Sequence, residues 1–308
     1  MNIDILKEYN TEHGIKLNQI LTEYFKSNEP FSCIRLGNTE NYILNALYNN
    51  EEILSRYHYD SLYDVAGVFP KSLDFYKNEF LEENIKSIKE SDIVGWVAIT
   101  TPEPNEKFKT DLLKDKICFT EIRVLDPCFL SVEYEDPWTM ELAGKRVLVV
   151  NSMEKTILKQ WENREKIWGN NTNKIVPFDL VGVIKSSHPP HIEGGDLIVD
   201  SKKITTWIDT KNFLESQIDM YEYDVLLCGC GALAPSLASY AKSKGKIGIT
   251  MCSGTQLLFG ISGKRWSLNE GFTHFHQCVN DYWCYPDQDD IPINKKIVEG
   301  SEGMCYWG

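Results

Sequence analysis

The chain has 308 residues, of which 42% are hydrophobic and 25% charged, and its formal net charge is −13. This composition is ordinary for a globular protein, and the acidic balance excludes a broad nucleic-acid-binding surface, since phosphate backbones require clustered Lys and Arg. No apolar run is long enough to cross a bilayer, the N-terminus lacks the order of a secretion signal and the nine cysteines are scattered, so we expect a cytoplasmic protein with reduced thiols.

The first half of the chain alternates between helical and strand patterns. Residues 3–27 carry apolar side chains at helical spacing, and residues 31–36 predict a strand that a turn at 37–40 connects to a helix at 41–48. Beyond this helix, the pattern predicts helices at 72–90, 136–144 and 153–168 and strands at 92–99, 116–121, 147–150 and 174–180.

The second half begins with a long segment that has no periodicity. Residues 185–204 contain Pro-Pro and Gly-Gly pairs and predict a loop, and loops of this length in compact domains are usually functional. After it the pattern predicts a helix at 206–221, a strand at 225–228, a further helix and a strand at 247–251. Residues 267–308 are rich in Trp, Tyr, His and Pro and predict an irregular C-terminal wrap.

Apolar strands bounded by helices indicate the fold class. The pattern predicts an α/β fold, Rossmann-like, with a mostly parallel sheet covered by helices on both faces. No shift in composition marks a boundary, so we expect one domain over residues 1–308 with a helical N-terminal segment at 1–30.

A turn of small residues follows the strand at 225–228. Gly229, Gly231 and Ala232 belong to a G-x-G-x-x-A run, which matches the dinucleotide fingerprint. Such a turn directs backbone N–H groups and a helix N-terminus toward the carboxyl edge of a sheet, where a phosphate binds. The next strand ends without the Asp or Glu that would hold a ribose, which disfavours a nicotinamide cofactor. A turn that only permits close packing is the structural alternative.

A second group of polar residues lies where the strand at 31–36 ends. Arg35 can bind two oxygens of a phosphate, and Glu40, in the first turn of the next helix, can bind a divalent ion or act as a base. Gly37 and Asn38 lie between them. The structural alternative is an internal Arg35–Glu40 ion pair with Asn38 as the helix N-cap.

Later segments add further candidates. His188, in the long loop, could transfer a proton, although a loop histidine is more often only solvated. Trp266 could stack on a base or a sugar, or could simply pack in the core. The polar residues that could contact a phosphate or sugar are Lys185, Ser186, Gln256, Lys264 and Arg265.

These motifs resemble those of a known family. The Arg35-x-Gly37-x-x-Glu40 turn resembles the R-x-G-D-G-E signature of GT-D-type glycosyltransferases. The block at 224–266, which includes the run TQLLFGISGKRW, is similar to the carboxyl half of bacterial proteins with that fold. The strand after Lys145 and the closing Cys-Tyr-Trp also look similar, so the resemblance spans most of residues 31–307.

The resemblance implies a GT-D-like domain that binds a nucleotide-diphosphate sugar. In that family the D-x-E pair holds a divalent metal, Mn²⁺ or Mg²⁺, at the diphosphate. In this chain Asn38 replaces the first acid and only Glu40 remains. Because an Asn carbonyl binds a hard cation more weakly than a carboxylate does, metal dependence is left open.

The expected function is therefore transfer of a sugar from a nucleotide-diphosphate donor to a glycan or another hydroxyl acceptor, in surface polysaccharide synthesis. Arg35, Glu40 and His188 are the expected catalytic residues, and Arg35, Lys185 and Lys264 would neutralise the leaving diphosphate. Two alternatives stay open. One is a non-catalytic nucleotide- or glycan-binding module, which the acid lost at position 38 would indicate. The other is an NAD(P)-dependent oxidoreductase that uses the G-x-G-x-x-A turn.

Overall fold

The computed structural model describes residues 3–49, 56–64, 66–96, 104–120, 125–126, 136–186, 197–199, 202–267 and 273–291. The strands in these ranges are β1 (Ser32–Arg35), β2 (Ile93–Gly95), β3 (Ile117–Phe119), β4 (Arg146–Asn151), β5 (Asp179–Lys185), β6 (Leu197–Val199), β7 (Lys202–Ile204), β8 (Val225–Gly229) and β9 (Ile247–Thr250). The α-helices are α1 (Ile3–Ser27), α2 (Asn38–Tyr48), α3 (Arg56–Asp64), α4 (Leu73–Phe75), α5 (Leu81–Glu90), α6 (Glu106–Phe108), α7 (Glu154–Trp161), α8 (Arg164–Trp168), α9 (Thr172–Ile175), α10 (Trp207–Ile218), α11 (Ala234–Ser243), α12 (Gly254–Leu258), α13 (Lys264–Ser267) and α14 (Thr273–Cys278). Within these ranges, no helix has both the length and the apolar character that crossing a bilayer requires.

Seven of the described strands form one parallel sheet in the order β3-β2-β1-β9-β8-β4-β5. Because every neighbouring pair is parallel, the seven carboxyl ends meet at one edge of the sheet and the connections run along its faces. β6 and β7 form a separate antiparallel pair. The predicted Rossmann-like parallel sheet with helices around it is confirmed.

The sheet separates two hydrophobic cores, since alternate residues of a strand point to opposite faces. On one face Val149 of β4 shares a core with Leu21 of α1. On the other face Val150 shares a core with Leu237 of α11. Burial of each such side chain contributes about 1.5–3 kcal/mol. Gly248 of β9 lets α11 approach very closely, because a Cβ at this position would overlap the backbone of that helix.

Most predicted elements are present, with small shifts at their ends. The long first helix covers Ile3–Ser27 as predicted, and the strands predicted at 31–36 and 147–150 are β1 and β4. The β8–α11–β9 unit, predicted from residue 225 to residue 251, is also confirmed.

The strand predicted at 174–180 is wrong. α9 occupies Thr172–Ile175, and β5 begins only at Asp179. Val176 and Phe178 are buried in the core that contains Val149 and Leu21. The apolar spacing that predicted a strand therefore comes from core residues that lie between α9 and β5. The helix predicted at 153–168 is interrupted between α7 and α8.

Three further predictions need correction. The segment at 185–204 begins on the last residue of β5 and contains β6 and β7, whose three-residue lengths are too short to show alternation. The helix predicted from residue 41 begins at Asn38, and its N-cap is Gly37, whose lack of a side chain leaves no side-chain cap. The C-terminal wrap contains α14 and a 3₁₀ turn at Gln288–Asp290.

Candidate functional site

Five positions at the carboxyl edge of the sheet lie level with one another. Asn151, the last residue of β4, pairs in register with Gly229 of β8 and Lys185 of β5. Arg35, the last residue of β1, donates a hydrogen bond from Nη1 to the carbonyl oxygen of Met251, just after β9, at 2.9 Å. We call these five residues the edge row: Arg35, Met251, Gly229, Asn151 and Lys185. The edge row contains the end of β1 at Arg35, which we call the arginine bend, and the end of β8 at Gly229, which we call the glycine bend. Both bends lie at the same edge of the sheet, with one strand, β9, between them.

Arg35 is held in the edge row by a buried carboxylate. The arginine is only 4% exposed, and Nη1 lies 3.5 Å from Oδ1 of Asp126, which is itself 8% exposed. Burial of a charge is unfavourable unless an opposite charge compensates for it, and this ion pair supplies the compensation. Arg35 therefore pairs with Asp126, a partner that the sequence did not suggest.

Glu40 folds back over the bend that follows β1. A Cβ at Gly37 would overlap the Glu40 carboxylate, so only a glycine allows this carboxylate to lie there. The amide oxygen Oδ1 of Asn38 is buried and has no hydrogen-bond partner among the described residues. A carboxylate in the first turn of a helix is favoured by the helix dipole. The Asn38 amide oxygen and the Glu40 carboxylate, both potential metal ligands, therefore lie on one turn at the start of α2.

Gly229 is the point where three turns meet. A Cβ there would lie 2.5 Å from Thr255 Oγ1, 2.6 Å from Asn151 Nδ2 and 2.8 Å from the Cys252 carbonyl oxygen. The Asn151 amide donates to the Gly229 carbonyl at 2.9 Å and accepts from the Met153 N–H at 2.9 Å. Asn151 thus ties the β4 turn to the β8 turn, and any side chain at position 229 would push them apart.

The turn between β9 and α12 joins the two bends. A Cβ at Gly254 would overlap Asp126 Oδ1, and Thr255, the next residue, lies against Gly229. Thr255 and Thr250 are fully buried, and neither hydroxyl has a hydrogen-bond partner within the described ranges. Buried hydroxyls are usually hydrogen-bonded, so the missing partners make these two hydroxyls candidates for contact with a ligand.

The G-x-G-x-x-A turn itself is more occupied than its sequence indicates. Gly231 has a φ of +60°, a conformation that glycine adopts readily. The Ala232 N–H donates to the Ala66 carbonyl oxygen at 3.2 Å and so cannot contact a phosphate without a rearrangement. Burial raises the pKa of the Cys228 and Cys230 thiols well above the usual range, so both pack as neutral thiols.

The far end of the edge row is covered by the C-terminal segment. Lys185 Nζ donates to the Asp289 carbonyl at 3.2 Å and lies 3.4 Å from Asp290 Oδ1. Ser186 is 1% exposed, and its N–H donates to the Asn151 carbonyl. Lys185 and Ser186 therefore lie on the predicted edge, while His188 falls outside the described residues.

The TQLLFGISGKRW run mainly builds the core. Gln256 is 2% exposed, and its Nε2 donates to the Ser262 carbonyl at 3.0 Å. Trp266 is 1% exposed and packs against Phe275, which confirms the packing interpretation. Lys264 begins α13, and the side chain of Arg265 lies outside the described part of the chain.

Sequence reasoning missed three residues of this edge. Asn151 directly follows the apolar strand predicted at 147–150, so its place at a carboxyl edge was available from the pattern. Thr255 lies in a run that was noted for other residues. Asp126 follows no predicted element, and only the three-dimensional structure brings it to Arg35.

The residues present are of the chemical type that a divalent cation prefers. Asn38 Oδ1 and the Glu40 carboxylate are hard oxygen donors, which suit Mg²⁺ or Mn²⁺ when phosphate oxygens and water complete the shell. Among the described residues, no group of three or more His, Cys, Asp or Glu side chains forms a metal cluster. A cation here would accordingly depend on oxygens from the ligand.

Comparison with protein families gives one match. Residues 15–189 match the model of the GT-D fold-like domain. A comparison with curated proteins and one with solved structures give no match. The matched range contains Arg35, Glu40, Asp126, Asn151 and Lys185, and it covers more than half of the sequence. The chain therefore belongs to the GT-D fold-like family.

Proposed function

We propose that this protein is a glycosyltransferase that moves a sugar from a nucleotide-diphosphate donor to a hydroxyl of a glycan or similar acceptor, in the cytoplasm. Membership of the GT-D fold-like family supports a glycosyltransferase-related fold. Fold alone does not establish an activity, so the proposal depends on the chemistry of the edge row.

The observation that carries the proposal is the convergence of Arg35 with Gly229. A guanidinium at the edge offers several N–H donors in a fixed plane, which matches phosphate oxygens, and Gly229 brings the β4, β8 and β9 turns together at the same edge. The hydroxyls of Thr250 and Thr255 are buried polar groups that a ligand could satisfy. The donor diphosphate would lie between these residues, at the position where open parallel sheets bind their ligands.

Arg35 has the clearest chemical role. As the bond between sugar and diphosphate breaks, negative charge develops on the leaving diphosphate, and a fixed cation stabilises that charge. Asp126 keeps the guanidinium in position before the donor binds. A hydrogen-bonded, buried arginine reorganises little during the reaction, which is what makes such stabilisation effective.

Glu40 and Asn38 would serve the acceptor side or a cation. In a metal-free reaction Glu40 accepts the proton of the acceptor hydroxyl. Where Mn²⁺ or Mg²⁺ is used, the two side chains would hold it, and it would neutralise part of the charge on the diphosphate. Further proposed contacts to donor or acceptor are Gly37, Lys185, Ser186, Gly231, Gln256, Lys264 and Arg265, with His188 as a second proton-transfer group; Ala232 could contact the donor only after a rearrangement that frees its N–H from Ala66.

A titration with nucleoside diphosphates tests the proposal. We expect one of the uridine, guanosine or cytidine diphosphates to raise the melting temperature of the wild type and to bind at least tenfold more weakly to Arg35→Gln. Arg146→Gln is the matched control, because Arg146 begins β4 at the opposite edge and its loss should leave binding unchanged. A wild type that no nucleotide stabilises would contradict the proposal.

A non-catalytic binding module is the second candidate, and Asn38 favours it. Asn38 is the first residue of α2, and a carboxylate at this position would bind a cation more strongly than its amide oxygen does. If Asn38→Asp gains metal-dependent transfer that the wild type lacks, the binding module is the correct function. Turnover by the wild type excludes it. For an oxidoreductase, the engaged Ala232 N–H is unfavourable, and a bound dinucleotide would be the evidence in favour.

A further inference from the structure

The C-terminal segment holds α7 by an unusual contact. The N-cap of α7, Met153, makes no side-chain cap. Instead Asp290 Oδ2 accepts hydrogen bonds from the Thr156 N–H at 2.7 Å and the Thr156 hydroxyl at 2.6 Å. A side chain that accepts a hydrogen bond from the third N–H of a helix caps its N-terminus. Asp290 therefore caps α7, although it lies more than a hundred residues away in the sequence.

The carboxylate of Asp290 occupies a place suited to a phosphate. The N-terminus of a helix that follows a parallel strand binds anions through its free N–H groups and its dipole. Lys185 Nζ adds a cation 3.4 Å from Asp290 Oδ1, and the Asp290 side chain is fully buried. A hydroxyl, a helix N–H and a lysine therefore form an anion site, which the chain fills with the carboxylate of Asp290.

The segment that supplies this carboxylate is anchored at one end and acidic at the other. We call residues 284–291 the strap. Cys284 donates to the Gly260 carbonyl at 3.1 Å and accepts from the Ser262 N–H at 2.7 Å. Beyond this anchor the strap carries three acids within four residues, at positions 287, 289 and 290. Asp289 forms an ion pair with Lys155, and Asp290 forms one with Lys185.

The strap and a diphosphate would compete for the same cation. Lys185 belongs to the edge row, level with Gly229, but its Nζ contacts the strap. A polyanion that approached Lys185 would meet the buried charge of Asp290 at short range, and like charges repel strongly where water is excluded. Lys185, whose side chain is 38% exposed, can give its full charge to such a ligand only when Asp290 leaves.

We infer that the strap is a built-in competitor of the donor: Asp290 imitates a phosphoryl group at the α7 N-terminus, and binding of a diphosphate at the edge row releases it so that Lys185 and Thr156 contact the ligand. This inference rests on the proposed function, because it assumes that the edge row receives a diphosphate. It adds a self-regulating contact to that site.

Inorganic pyrophosphate is a suitable probe, since it carries the diphosphate without nucleotide or sugar. At constant ionic strength, Asp290→Asn should bind pyrophosphate at least fivefold more tightly than the wild type, a coupling of ordinary size between two competing ligands. Asp289→Asn is the matched control: it removes a neighbouring acid whose side chain is 64% exposed and pairs with Lys155, and its affinity should change less than twofold.

Amide hydrogen exchange on the wild type gives an independent readout that needs no variant to fold. Saturating pyrophosphate should accelerate exchange across the strap. Unchanged pyrophosphate affinity in Asp290→Asn, or wild-type binding that leaves strap exchange unchanged or slower, overturns the inference. If that binding still depends on Arg35, the proposed function stands while the strap is only structural. If wild type and Asp290→Asn both fail to bind pyrophosphate, the competitor role is wrong as well.

Discussion

The two edges of the same sheet are built in different ways. At the amino edge, Asp224 accepts hydrogen bonds from the Arg146 N–H at 2.9 Å and from its guanidinium at 2.9 Å. Asp92 likewise accepts from the Ser32 N–H at 2.9 Å and from Lys242 at 2.8 Å. Both acids therefore accept a hydrogen bond from the first residue of a neighbouring strand. The negative charge of Asp224 is compensated by Arg146, and that of Asp92 is compensated by Lys242.

The carboxyl edge contains glycines, buried hydroxyls and one deeply buried ion pair. Thr250 and Thr255 are satisfied by none of the described residues, and Gly229 lies where any side chain would collide with its neighbours. Under the proposed function, the amino edge serves the stability of the fold alone, whereas the carboxyl edge serves both stability and binding. Substitutions at the amino edge should affect unfolding, whereas those at the carboxyl edge should also affect binding.

Arg35→Met should have the largest effect. It removes the cation beside the buried Asp126 carboxylate, and breaking a buried pair typically costs about 3–5 kcal/mol. Arg146→Met at the amino edge should cost far less, because its ion pair with Asp224 is exposed to solvent. Urea unfolding of the two variants measures the difference. Equal losses would mean that the edges do not differ in the way described.

Gly229→Ala should have the next largest effect. Its Cβ would lie 2.5 Å from Thr255 Oγ1, and overpacking of this kind costs about 1–3 kcal/mol. Nucleoside-diphosphate binding should be lost with it, since the β4, β8 and β9 turns would separate. Gly245→Ala is the control: its φ of +74° makes the alanine strained but nothing lies within 4 Å, so stability falls by about 1–2 kcal/mol while binding remains. Intact binding in Gly229→Ala would place the ligand elsewhere.

The pH dependence of unfolding tests the amino edge alone. The hydrogen bond from Arg146 lowers the pKa of Asp224 from 3.8 to about 2. Because the folded-state pKa is depressed, the stabilisation is present above about pH 4 and is lost as the pH falls from 4 toward 2. Asp224→Asn should therefore show a shallower loss of stability over that window in urea titrations at pH 5, 4 and 3. Identical slopes would show that this acid contributes nothing.

Thr255→Val should have the smallest effect on stability. Its hydroxyl has no described partner, so a valine of similar shape leaves the free energy of unfolding unchanged within about 0.5 kcal/mol or raises it. The affinity for the nucleoside diphosphate should still fall about fivefold to tenfold, the contribution of one hydrogen bond. Calorimetric titration and thermal unfolding of the same sample separate the two quantities. A destabilised variant with normal affinity would assign Thr255 to the fold.

The fold and some positions of the candidate site could be predicted from sequence patterns, because such patterns depend on local chemistry. Buried strands, helix periodicity and the bends at Arg35 and Gly229 are all written within a few consecutive residues. Contacts between distant segments are not. The pairing of Asp126 with Arg35 spans about ninety residues, and the cap that Asp290 provides to α7 spans 134. A motif cannot predict the hydrogen bond from the Ala232 N–H to the Ala66 carbonyl either. A turn pattern shows which backbone groups are present but not which are already hydrogen-bonded.

A structure of the protein with a saturating nucleoside diphosphate would show whether Arg35 and Gly229 line one donor site. We predict phosphate oxygens within hydrogen-bond distance of the Arg35 guanidinium, at the turns that meet around Gly229, with the Thr255 hydroxyl in contact. A nucleotide bound at the amino edge, or at the carboxyl edge but away from both Arg35 and Gly229, would contradict the claim that the two bends form one donor site.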